Sequence, residues 1–276
     1  MLLSLLAMQL LASTVCSSPT TYQRPFGVEQ STGDRVNVSL YVMSRCPDAR
    51  LCENVFESVI QQDGILDKIN LNIGYIGTPN KSESLGVSCK HGSLECIGNA
   101  HQLCLLNSDT VSIKKAYDII QCQNYPSSFP KEIGTLQSIK ECVRAERLDW
   151  YESGIGHCIE GKTKEENRRW DEMEMDFSFS RGPVVDDDDD DESTPKLGKR
   201  AKRLLLENIK QVYDKGIKTS CTIDIDSTII SHQGRRRCIV DGGVWKGCDD
   251  GHTPQDFVRV IEDEYENLKS QHNGNR

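Results

Sequence analysis

Two cysteines in the stretch RCPDARLC, Cys46 and Cys52, have the residue types and setting for chemistry, with Pro47 directly after the first. Cysteine attacks a disulfide as the thiolate. A helix N-terminus favours that form, because its unpaired backbone N–H groups and aligned peptide dipoles present positive potential. Proline suits the first helical position, so Cys46 stands where a helix begins, with Arg45 adding positive potential and Asp48 partly opposing it. The chemistry this permits is thiol–disulfide exchange with Cys46 as an accessible nucleophile. Cys52 is harder to assign. Six residues of regular helix separate the two by about 9 Å of rise, whereas a disulfide needs Cα atoms within roughly 7 Å. Cys52 is either the resolving cysteine, brought round by a non-helical turn, or a small core residue, cysteine being among the most buried types.

The flanking sequence supplies elements to hold such a site. Val36 to Val42 (VNVSLYV) reads as a strand, with Val36, Val38, Leu40 and Val42 on one face. After Pro47, the residues Leu51, Val55, Phe56, Val59 and Ile60 form a helical apolar stripe, and Asp63-Gly64 ends the helix. Ile69 to Ile76 reads as a second strand, giving a β–α–β opening with a parallel pair and a right-handed crossover. Six cysteines then punctuate a region of short helices over about 88–167, read as a stapled helical insertion. Residues 171–199 are acidic and poor in apolar side chains, so a disordered loop is expected there. Leu204 to Tyr213 is helical again. Strands follow at Cys221 to Ile225 and Arg237 to Val240, with a turn through Gly242-Gly243 and a Cys238–Cys248 bridge around it. A last helix begins with Thr253 as N-cap and Pro254 in its first turn, and Phe257, Ile261, Tyr265 and Leu268 line one face.

The first residues, MLLSLLAMQLLASTVCSS, read as a secretory signal peptide over 1–17, its apolar run too short to span a bilayer. Loss of Cys16 with it leaves eleven of twelve cysteines, a disulfide framework with one thiol left over. Asn37-Val38-Ser39 and Asn80-Lys81-Ser82 are N-glycosylation sequons that fit the same route. No later run is long enough for a membrane span. The net charge of −9 argues against nucleic-acid or anionic-membrane partners, and much of it sits in the block Asp186 to Glu192. Arg200-Ala201-Lys202-Arg203 fits a proprotein-processing pattern but reads better as a basic helix start.

Cys89 to Cys104 reads CKHGSLECIGNAHQLC. It resembles the signature of the gamma-interferon-inducible lysosomal thiol reductase family: Cys89, His91, Gly92, Glu95, Cys96, Asn99 and Cys104 match, and Lys90 replaces a glutamine. The similarity extends from about Val36 to Leu268. It implies an α/β, thioredoxin-like fold with a disulfide-stapled helical insertion, a thiol reductase unit over 34–270, and a tail at 271–276. It also implies reduction of protein disulfides in an acidic compartment, in a protein that is secreted or sent to a lysosome or vacuole. Cys46 would attack a disulfide-containing protein substrate and form a mixed disulfide. Cys52, Cys221 or an external small-thiol reductant would resolve it, with no bound cofactor. Cys221 enters because the start of its strand faces the active-site cysteine in such a fold, although it could equally be bonded elsewhere in the framework. Two departures stand out. The family's pattern has a Cys-x-x-Cys pair faced by a cis-proline; here Ala49 takes the second cysteine position, and Lys218-Thr219-Ser220-Cys221 has no proline. Cys89, His91, Cys96, His101 and Cys104 are zinc-ligand types but lack close cysteine pairs, so no metal is assigned; the signature cysteines are expected to staple the insertion, and His91 reads as a structural or surface residue.

Overall fold

A computed structural model describes residues 35–161, 197–227 and 234–274. The stretch read as a signal peptide, with Cys16, and the expected acidic loop up to residue 196 lie outside the described residues.

Strand β1 (Val36–Val42) is followed by α1 (Pro47–Ile60), a short α2 (Ile65–Lys68) and β2 (Ile69–Tyr75). β1 and β2 pair in parallel along their whole length, Val36 opposite Ile69 and Val42 opposite Tyr75. Two-residue strands β3 (Thr78–Pro79) and β4 (Val87–Ser88) lead into the helices α3 (Ser93–Leu106), α4 (Ile113–Asn124), α5 (Leu136–Ala145) and α6 (Ile155–Glu160). Then come α7 (Lys199–Asp214), β5 (Thr222–Asp226), β6 (Arg235–Asp241), β7 (Val244–Lys246) and α8 (Pro254–Gly274). The main sheet has the order β2-β1-β5-β6-β7, with β5 antiparallel to β1 and β6 antiparallel to β5. A parallel β–α–β half joined through the middle of the sheet to an antiparallel β–β–α half is the thioredoxin-like plan, with the helices α3 to α6 inserted between the halves.

The helix positions differ from expectation in three places. In α1 the buried residues are Ala49, Cys52, Glu53, Phe56, Val59 and Ile60, while Leu51 and Val55 are only partly covered. The buried face is turned because two helices flank α1: Phe56 meets Phe257 of α8 at 4.9 Å between ring centroids, and α4 closes over Glu53. Helix α7 begins at Lys199, five residues before the apolar Leu204 run and inside the segment read as loop. Arg200 there donates to the Asn107 carbonyl at 2.9 Å and Ala201 is fully buried, so the Arg-Ala-Lys-Arg stretch is packed helix. Helix α8 runs on to Gly274, through most of the expected tail.

Five disulfides join described cysteines: Cys52–Cys221, Cys89–Cys96, Cys104–Cys158, Cys122–Cys142 and Cys238–Cys248. Three of them staple the insertion, and Cys238–Cys248 ties β6 to the segment after β7 as the sequence suggested. Among the described residues the free thiol is Cys46.

Candidate active site

Cys46 is the N-cap of α1, with Pro47 at the helix start and no side-chain capping bond of its own. Its amide donates to the Met43 carbonyl at 2.9 Å, closing a tight turn between the end of β1 and the helix. The turn is held from two sides. The Met43 amide donates to Ser220 Oγ at 3.0 Å, from the segment leading into β5. The Ser44 amide donates to Asn99 Oδ1 at 3.0 Å, and Ser44 Oγ donates to the Glu95 carbonyl at 3.2 Å, both from α3. A Cβ on Gly98 would stand 2.7 Å from Ser44 Oγ and 2.6 Å from the Ile133 side chain, so α3 can lie this close to the turn only because residue 98 has none.

This explains the signature stretch. Asn99 is fully buried; it accepts from Ser44 and points its amide at Cys89 Sγ, 3.8 Å away. Glu95 is also fully buried and forms an ion pair with His91 Nδ1, while its other oxygen accepts from the His91 amide at 3.2 Å. Gly92 caps α3 at φ +86°, a conformation that suits glycine. Cys89 bonds Cys96 across the first turn of α3, and Cys104 bonds Cys158 of α6. These residues do not touch a reacting atom. They fix α3, and α3 fixes the turn that carries Cys46.

The expectation of an open sulfur needs correction. Cys46 is only 5% exposed. Its Sγ lies 3.9 Å from the Ser220 carbonyl oxygen, and the β6–β7 turn is latched onto the first turn of α1. The latch is the Asp48 carboxylate, which accepts from the Gly242 amide at 2.9 Å and the Gly243 amide at 2.7 Å. Both glycines have positive φ, +64° and +75°, as a two-residue hairpin turn with both central residues left-handed requires. Asp48→Ala should therefore free the turn and raise the rate of Cys46 alkylation by iodoacetamide several-fold in the folded protein, read by peptide mass spectrometry. An unchanged rate would mean that the turn does not control access.

Cys52 and Cys221 also depart from the simplest expectation. Cys52 is not paired with Cys46. It is fully buried and bonded to Cys221, itself fully buried, across 6.4 Å between Cα atoms. Helix α1 is regular from Pro47, so the rise that separates Cys46 from Cys52 persists and no unwound turn brings them together. Cys221 directly precedes β5, its carbonyl accepting from the Val240 amide, and the Ser220–Cys221 peptide is cis although it precedes no proline. Ala49, at the position of the family's second cysteine, is buried.

The two sequons differ in setting. Asn37 lies within β1, donating to Asp226 at 2.7 Å and accepting from Asn70 at 3.1 Å, so a glycan on its amide nitrogen would compete with the bond to Asp226. Asn80 lies at a turn whose next residues, Lys81 to Ser84, are exposed.

Sequence reading missed a buried polar network behind the site. Glu53, next to Cys52, accepts at Oε2 from Asn124 at 2.7 Å, while its backbone carbonyl accepts from Tyr117 Oη at 2.8 Å and Gln121 Nε2 at 2.6 Å. Burial pushes its carboxyl up to about 7, the Asn124 hydrogen bond pulling the other way. His101 on α3 is buried with neither ring nitrogen hydrogen-bonded to protein, and burial pulls it down to about 4 against the opposing pull of Glu160. The available signal was the helical position of Glu53, three residues before Phe56 and seven before Ile60.

Residues 37–146 match the family described as gamma interferon inducible lysosomal thiol reductase (GILT). Among solved structures, the chain is similar to reduced DsbA1 from Neisseria meningitidis, at 8% identity over 91% of this chain and 93% of that one, TM-score 0.44. It is similar to Wolbachia pipientis alpha-DsbA1 at 12% identity, covering 86% and 89%, TM-score 0.43. A putative protein disulfide isomerase from Nitrosomonas europaea matches at 9% identity, covering 86% and 99%, TM-score 0.43. Among the described residues no helix is long and apolar enough to cross a membrane. The family match spans β1, α1 with Cys46 and Cys52, and the signature stretch Cys89–Cys104.

Proposed function

We propose that this protein reduces disulfide bonds in protein substrates on the secretory route, in a secreted or lysosome/vacuole setting, with Cys46 as the attacking thiolate. The observation that carries the reading is one free cysteine at the N-cap of α1 while ten others are bonded in pairs. A helix start is a recognised setting for reactive thiols. Cys46 attacks one sulfur of the substrate, the substrate S–S bond breaks, and the departing substrate sulfur takes up a proton. The mixed disulfide is then resolved by a second thiol, with a small-thiol reductant closing the cycle.

The near-complete burial of Cys46 favours a second reading, a secreted binding protein of the same fold whose catalysis is impaired. Reduction of insulin by an excess of small dithiol, followed at acid and neutral pH with and without the protein, separates the two. Acceleration well above the dithiol alone supports the reductase. A rate equal to dithiol alone at both pH values favours the binding protein.

A further inference from the structure

We infer that Cys46, Cys221 and Cys52 form a three-sulfur relay, in which the buried Cys52–Cys221 disulfide is the resting product of turnover. The inference rests on the reductase reading above. Cys46 and Cys52 are too far apart along α1 to bond each other, yet both face the chain just before β5: Cys52 Sγ is bonded to Cys221 Sγ, and Cys46 Sγ lies 3.9 Å from the carbonyl oxygen of Ser220, the residue before Cys221. Cys221 is the cysteine adjoining that contact, and the relay makes it the sulfur that both share. Cys52 and Cys221 are each fully buried, so no outside thiol reaches their bond directly; Cys46, at 5% exposure, is the way in.

The steps balance as successive exchanges. In the reduced protein all three are thiols. Cys46 attacks the substrate disulfide and expels one substrate thiolate. The Cys221 thiolate attacks Cys46 Sγ in the mixed disulfide, forming Cys46–Cys221 and expelling the second substrate thiolate. The Cys52 thiolate then attacks Cys221 Sγ, forming Cys52–Cys221 and returning Cys46 as a thiolate. The substrate disulfide gains two electrons and two protons, and the pair Cys52 and Cys221 loses them. An external dithiol reverses the last two exchanges through Cys46 and is itself oxidised to a disulfide. Ala49 at the usual second cysteine position is then no defect, because resolution comes from β5.

The test is a single turnover. Wild-type protein is treated with limited dithiothreitol, and peptide mapping confirms that Cys52–Cys221 is open and the other four disulfides intact. After desalting it is mixed anaerobically with insulin. The relay predicts one insulin disulfide reduced per chain with no added thiol, Cys52–Cys221 restored and Cys46 free. Cys52→Ser should also reduce one, but stop with Cys46 and Cys221 crosslinked. If wild type instead accumulates a stable Cys46–insulin mixed disulfide that only added thiol releases, the relay is overturned and the Cys46 reading stands. If Cys46→Ser reduces insulin as wild type does, Cys46 is not the nucleophile and both the relay and the Cys46 reading fail. The wild-type arm decides the matter even if Cys52→Ser does not fold.

Discussion

Cys46→Ser should lower the rate of insulin reduction by at least about a thousandfold, because the sole free sulfur at the site is replaced by a hydroxyl that neither ionises nor exchanges near neutral pH. The fold should hardly respond. Serine is nearly the same size, the site is the rim of the core, and the substitution removes no more than the weak approach of Sγ to the Ser220 carbonyl. A urea unfolding midpoint close to wild type, measured on the same sample, makes the loss of activity chemical. Cys221→Ser is the instructive contrast: it opens a disulfide spanning 169 residues, and closing a loop of that size restricts the unfolded chain by about 5 kcal/mol. Its effect should appear in the unfolding midpoint, where Cys46→Ser has little, besides any loss of turnover. Wild-type turnover in a folded Cys46→Ser protein would leave the site without a nucleophile and sink the assignment.

Local and long-range features of this site differed in how far the sequence revealed them. The strand Val36–Val42 was readable from alternation, and the helix start was readable because proline at the first position marks it. Helical rise alone excluded a bond between Cys46 and Cys52 in regular helix, and it does so in the structure. The identity of the Cys52 partner was beyond such reasoning: Cys221 is 169 residues away, and only the placement of β5 beside β1 brings it under the helix. The same holds for the Asp48 latch, whose two glycine donors lie 194 and 195 positions further on. The turned face of α1 has this cause as well. A stripe drawn for one apolar neighbour misplaces Glu53 and Leu51 once α4 and α8 both pack against the helix. The spacing of the signature residues was plain from the outset, but their work in holding Ser44 required the contact between α3 and the turn.

The contributions of buried Glu53 and His101 to stability should offset each other between pH 4.5 and 6.5, and removing either should tilt the profile. Glu53 binds its proton more tightly folded than unfolded, at about 7 against 4.5. As pH rises from 4.5 to 7 the unfolded chain loses that proton first, so this group's contribution of about 3 kcal/mol is full at low pH and gone above 7. His101 has the opposite sign. It titrates at about 4 folded against 6.5 unfolded, so as pH falls from 6.5 to 4 the unfolded chain gains a proton that the folded one refuses, and about 3 kcal/mol is lost. The two windows overlap between pH 4.5 and 6.5, where they cancel. In Glu53→Gln, which keeps an acceptor for Asn124, stability relative to wild type should fall by about 3 kcal/mol as pH drops from 7 to 4.5. In His101→Gln it should rise by a similar amount over the same interval. Urea unfolding at pH 4.5 and 7 reads both, the wild type serving as reference so that all other titrations drop out. Parallel profiles for the three proteins would mean that neither group changes its proton affinity on folding.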